Sequence, residues 1–153
     1  MYIMSRFSRK QIVALSVAAL AIAAIAIAAI SVCCSHHTYP RELVVADSLC
    51  ESNPDSAEAL LHRVPDSVLA AKPDRMYYDL LRIKASNNLY EPQKDSTIFR
   101  IVDFFERYGD KERLCQAYYY QGKYYVQHND APQALKCFQK ALDMSDDNTP
   151  LAF

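Results

Sequence analysis

Apolar residues recur along this chain in two different rhythms. Over residues 12–34 they run on for 23 residues, softened only by Ser16 and Ser31. From Arg41 onward they return every three or four positions, the period of an amphipathic helix. Leu43, Ala46 and Leu49-Cys50 predict a first helix that stops at Ser52-Asn53-Pro54. Asp55-Ser56-Ala57-Glu58 has the form of an acidic capping box and predicts a helix through Ala57, Leu60, Leu61 and Val64, ended by Pro65. Residues 66–71 predict a single helical turn. Tyr77, Tyr78, Leu81, Ala85 and Leu89 form the stripe of a helix over 74–89, and Glu91-Pro92-Gln93-Lys94 a turn. Asp95-Ser96 predicts the cap of a strongly amphipathic helix. There Ile98, Ile101, Val102, Phe105 and Tyr108 share one face, with Arg100, Asp103, Glu106 and Arg107 mostly opposite. Gly109-Asp110 ends that helix. Between Leu114 and Leu142 two more apolar stripes are parted by Asn129-Asp130-Ala131-Pro132, where Asp130 suits a cap and Pro132 a first turn. Helices joined by links this short fold back as antiparallel hairpins. The expected fold class is all-α. The scarcity of glycine, Gly109 and Gly122 only, also argues against an all-β fold.

The first rhythm changes where the second one is placed. A helix of 23 residues, at about 1.5 Å per residue, is long enough to cross a bilayer. Arg6, Arg9 and Lys10 precede it with no acid among residues 1–34, and such a cluster stays on the cytoplasmic side. Cleaved signal or retained transmembrane anchor, residues 1–34 send the rest of the chain across the membrane. Residues 35–40 are expected to be a linker, 41–145 the helical domain and 146–153 a tail. The chain beyond residue 34 keeps 14 of the 17 basic residues against all 18 acids, a net of −4. A mildly acidic helical domain lacks the electrostatic footprint of a nucleic-acid binder. Ile30-Ser31-Val32-Cys33-Cys34-Ser35 resembles a bacterial lipoprotein signal, in which a cysteine after the apolar run becomes the lipid-bearing first residue. That resemblance makes Cys33 or Cys34 the lipidation site and the protein membrane-held on the periplasmic side. The alternative is two apolar cysteines ending a plain transmembrane helix.

Tyr118, Gly122 and Tyr125 in one helix, then Ala134, Phe138 and Ala141 in the next, give a pattern similar to the tetratricopeptide repeat. The pattern of its second helix recurs as Ala57/Leu61/Val64 and Ile98/Val102/Phe105. Three hairpins are therefore expected to stack as a helical solenoid, because no hairpin can cover its own apolar face. Ala46-Asp47-Ser48-Leu49, Pro54-Asp55-Ser56-Ala57, Tyr78-Asp79-Leu80-Leu81 and Ala117-Tyr118-Tyr119-Tyr120-Gln121-Gly122 also resemble the N-terminal region of membrane-associated repeat proteins of Bacteroides-type bacteria. The resemblance implies a concave groove, lined on the best-matched hairpin by Gln116, Tyr119, Tyr120, Lys123 and Gln127, with Asp79 and Ser86 from the middle one. Its peptide-carboxylate clamp is not expected, since only Lys123 is of the right kind.

Enzymatic chemistry finds little support. Cys115 and Cys137 with His128 are the residue types of a nucleophile and base, but an antiparallel hairpin keeps the two cysteines apart and puts His128 at the turn. His36-His37 fits a solvated linker better than a metal site. No cofactor is implied. The expected function is a membrane-anchored, extracytoplasmic scaffold that binds a protein or peptide without catalysis. The alternative is the truncated N-terminal sensor part of a larger membrane-associated signalling or transcription regulator. With no polar capping helix after Leu142, the last hairpin is also expected to self-associate or take a partner.

Overall fold

The computed structural model describes residues 37–93 and 96–145. The apolar stretch at 12–34, Cys33, Cys34, His36, Asp95 and the tail at 146–153 lie outside the described residues. Among those described there are six α-helices and no strand: α1 (Arg41–Ser52), α2 (Pro54–Leu61), α3 (Lys72–Asn88), α4 (Thr97–Tyr108), α5 (Lys111–Gln127) and α6 (Ala131–Met144). Each helix packs on the next. In addition α1 touches α3, and α3 touches α5.

Asn53 makes the first sharp corner with two of its groups. Its backbone N–H donates to Leu49 O at 2.7 Å, closing α1, while its Oδ1 accepts from Ser56 N at 3.1 Å, opening α2. Pro54 follows in the first turn, where a missing N–H costs nothing. The cap therefore sits two residues ahead of the capping box expected at Asp55. Residues 66–71 form turns rather than a turn of helix, and Leu69 from this stretch is buried. α3 starts at Lys72, slightly ahead of expectation, with no side-chain cap. Its core face is Met76, Tyr77, Leu80, Leu81 and Ala85, joined by the charged Asp74 and Lys84.

Ile98, Ile101, Val102 and Phe105 bury the inner face of α4 as the periodicity predicts. Tyr108 does not join them: it stacks on Phe104 with ring centroids 5.1 Å apart, on the exposed side. Ser96 occupies the N-cap without a side-chain hydrogen bond. Gly109 ends α4 at φ 85°, a left-handed conformation that glycine adopts without a Cβ penalty. Asp110 belongs to the following helix, not to that stop. Its Oδ1 accepts from Arg113 N at 3.1 Å, so α5 begins at Lys111. Asp130 caps α6 as expected, accepting from Gln133 N at 3.2 Å, after Asn129 turns the chain at φ 58°.

The α5–α6 hairpin is tight at one point. A Cβ built on Gly122 would lie 2.4 Å from Cε1 of Phe138, so only glycine lets that ring seat against the α5 backbone. A second tie joins three helices: the Tyr118 hydroxyl donates to Glu106 of α4 and accepts from Lys140 Nζ of α6 at 2.9 Å.

Candidate partner-binding surface

The helix contacts bring one polar cluster into the interior. Lys84, only 3% exposed, donates to Glu51 at 2.8 Å and Asp47 at 3.0 Å, both from α1. The Tyr77 hydroxyl donates to the same Asp47 at 2.6 Å. The Arg113 guanidinium, from α5, lies 4.6 Å from the Tyr77 ring and 4.9 Å from the Tyr39 ring, and its Nη2 donates to the Tyr77 hydroxyl at 3.3 Å. Tyr39 in turn donates to Asp110 Oδ2 at 2.6 Å, so Tyr39 is packed rather than part of a solvated linker. Burial, then the neighbouring Asp47 charge, pushes the Tyr77 phenol up, and burial with the Asp110 hydrogen bond does the same to Tyr39. Burial pulls the Lys84 ammonium down, but the bonds and charges of Glu51 and Asp47 outweigh it and leave its pKa raised. The cluster is thus largely paired and, apart from the 41% exposed Glu51 side chain, mostly withdrawn from solvent. It ties α1, α3 and α5 together.

The residues assigned to the α5 surface separate into two groups. Tyr120 is 1% exposed and belongs to the core, because it points a full helical step away from Tyr119; burial raises its phenol pKa. Gln116, Tyr119, Lys123 and Gln127 remain at least partly exposed. Tyr119 packs 5.7 Å from Phe138 of α6, and Lys123 Nζ sits 6.0 Å from the Tyr119 ring. On the same two helices Val126 is 54% exposed, Leu135 70% and Leu142 53%. Periodicity did not single out these three aliphatics, although Leu135, Phe138 and Leu142 fall at the spacing of one helix face. Among the described residues α6 packs on no helix but α5, apart from Lys140, 3.6 Å from Glu106 of α4, and Val126, Leu135 and Leu142 are left exposed. Gln127 also accepts from Gln93 N at 3.0 Å, holding the α3–α4 loop against α5.

Of the repeat-defining positions, Tyr118, Gly122, Ala134 and Ala141 are buried, while Tyr125 and Phe138 are half-buried. Asp79 and Ser86 lie elsewhere than the α5–α6 face. They line an open cleft of about 520 Å³ with Glu58, Arg82 and Arg100, where Arg100 donates to Asp79 at 3.0 Å. Burial raises the Asp79 carboxyl's pKa, opposed by Arg100.

The cysteines are placed as core atoms. Cys50 faces the Leu81 carbonyl, and burial pushes its thiol up to about 12. Cys115 donates to Ala141 O at 3.2 Å and Cys137 to Gln121 Oε1 at 3.2 Å, each on a different turn of the hairpin. Burial raises both thiols as well, which leaves them protonated and poor nucleophiles. His128 stacks on the Tyr124 ring at 4.0 Å, and its Nδ1 lies 2.8 Å from the Tyr124 carbonyl. Among the described residues no group of His, Cys, Asp or Glu is arranged to hold a metal ion, and no helix is long and apolar enough to cross a membrane.

Comparison of the chain with protein-family models, with curated proteins and with solved structures finds no match.

Proposed function

We propose that this protein is a membrane-anchored scaffold on the extracytoplasmic side, a tetratricopeptide-like stack of three helix pairs that grips a protein or peptide and performs no chemistry. The pairs are α1–α2, α3–α4 and α5–α6. The first helix of each meeting the first helix of the next supports a stack of repeats. The observation that carries the binding reading is the uncovered α5–α6 face, where Val126, Leu135 and Leu142 flank Tyr119, Lys123 and Phe138. A contiguous apolar patch rimmed by polar groups marks an interaction site, and tyrosine supplies contact area at little entropic cost. The basic residues before the 12–34 stretch support the anchoring and its direction, with Cys33 or Cys34 as the lipid carrier.

A photoreactive side chain placed at Tyr119 in the full chain, in its native membrane, tests the reading. It is expected to give a protein adduct that Leu142→Glu abolishes, whereas the same probe at Arg107 gives none. Absence of an adduct at Tyr119 would refute a binding role for this face. Intact-mass measurement of the membrane-purified protein distinguishes a lipidated cysteine from a retained apolar helix.

A further inference from the structure

We infer that the partner on the α5–α6 face is α1 of a second copy of this chain, docked head to tail. The inference rests on the scaffold reading and names the partner. Among the described residues the exposed large hydrophobic side chains are Tyr90, Tyr108 (on α4) and five aliphatic ones: Val44, Val45, Val126, Leu135 and Leu142. The five aliphatic ones fall on the first and the last helix pair and on neither helix of the middle one. Among the described residues α1 packs only on α2 and α3, and α6 only on α5, apart from the Lys140 ion pair with Glu106 of α4 at 3.6 Å.

The two faces differ in relief in the way a docked pair requires. α6 offers the protruding Leu135 and Leu142, with the half-buried Phe138 between them. α1 offers a low surface in which Val44 and Val45 alternate with Ser48 and Ser52. Ridges on one helix seat in the grooves of another. Covering those serines strands no donor, because Ser48 Oγ already donates to Val45 O at 2.8 Å and Ser52 Oγ to Ser48 O at 3.3 Å. Leaving a buried donor unpaired is the usual cost of covering a polar surface, and here it is absent.

Charge chooses between unlike and like faces. The α5–α6 face carries Lys123, which meets no carboxylate among the described residues, with Lys136 and Asp143 at its edge. Two such faces brought together would offer their lysines only Asp143, whose Oδ1 already accepts from Gln139 Nε2 at 2.7 Å. The α1 face opens with Arg41 and the exposed Glu42, which can meet Asp143 and the lysines respectively. Contact between unlike faces does not close on itself, so it builds short head-to-tail chains rather than a two-fold dimer.

Two variants of the full chain in detergent micelles test this: Leu135→Glu with Leu142→Glu, and Val44→Lys with Val45→Lys. All four positions are exposed, and the helical signal of each variant is matched to that of the parent chain. By analytical ultracentrifugation the parent is expected to form oligomers. Each variant alone is expected to be at least tenfold weaker in association, and an equimolar mixture to recover dimers and stop there, since each partner retains one intact face. With a photoreactive residue at Leu135 and mixed isotope-labelled chains, the inter-chain link is expected in α1. A monomeric parent, a mixture no better than its components, or links from α6 to α6 would each overturn the proposal. An adduct of the native membrane protein with a different protein would overturn it too, leaving the scaffold reading standing; absence of any adduct would remove both.

Discussion

Replacing Lys84 by methionine keeps an unbranched apolar stem in the interior and removes the ammonium that Asp47 and Glu51 share. Breaking a buried ion pair from one side costs about 3–5 kcal/mol, because the surviving charge is left desolvated. Here the lower end applies. Asp47 keeps the Tyr77 hydroxyl at 2.6 Å, and the Glu51 side chain, 41% exposed, can turn to water. A loss of about 3 kcal/mol multiplies a local opening constant by about a hundred. Hydrogen exchange on the full chain is therefore expected to quicken by about two orders of magnitude in α1, where Asp47 and Glu51 reside, and to leave α6 unchanged. The pH dependence follows from the raised pKa of Lys84. A base whose folded pKa is raised contributes fully below its unfolded value of about 10.4 and loses that contribution as pH rises through the folded value. The gap between parent and variant in urea unfolding is accordingly full at neutral pH and narrows above about pH 10.4. A change in α1 exchange below threefold, or a gap that persists unaltered into strong alkali, would refute the account.

Four further outcomes are expected. Gly122→Ala pushes a methyl group to 2.4 Å from the Phe138 ring; an overpacking cost of about 1–3 kcal/mol outweighs the ~1 kcal/mol gain in helix propensity, and the urea midpoint falls. Asp110→Ala removes the α5 cap and the Tyr39 acceptor together, costing about 2 kcal/mol and exposing residues 37–43 to protease. The Cys50 thiol, held at about 12 by burial, resists alkylation at pH 8 in the folded chain and reacts on unfolding. Tyr120→Asp unfolds the last two helix pairs by placing a charge in the core, whereas Tyr119→Asp leaves the circular dichroism unchanged and abolishes docking at the α5–α6 face.

What was legible in the sequence was local. Asn129 through Pro132 announces its own corner, since capping, left-handed turn and first-turn proline act within a few residues. Gly109 does the same for α4. The displaced cap at Asn53 was also within reach, because Asn before Pro54, with Ser56 three positions on, is itself a helix start. The interior network was not legible. Lys84 stands in a helical pattern as one more polar residue, and its partners Asp47 and Glu51 are 37 and 33 positions away. Tyr39 reads as part of a linker because its acceptor, Asp110, is 71 positions distant. Tyr119 and Tyr120 look alike in a row of three, and only the packing of α5 against α3 and α4 sends one inward. Periodicity gives a helix its faces but does not say which neighbour each face will meet.

That division between local and distant ties bears on how the proposed scaffold would hold a partner. A groove grips only if its walls do not yield when a ligand orders against them, and three stacked pairs contain few apolar layers to resist that. The ion pair at Lys84, the guanidinium of Arg113 between two rings and the Tyr39–Asp110 bond all cross between first helices, which fixes the spacing of α1, α3 and α5. The Tyr118–Glu106–Lys140 tie secures the last pair to the middle one. Among the described residues the outer faces of α1 and α6 carry no such tie, and there Val44, Val45, Leu135 and Leu142 stand in solvent. On the proposed docking, association draws on these outer faces, which is where the substitutions at Leu135, Leu142, Val44 and Val45 act.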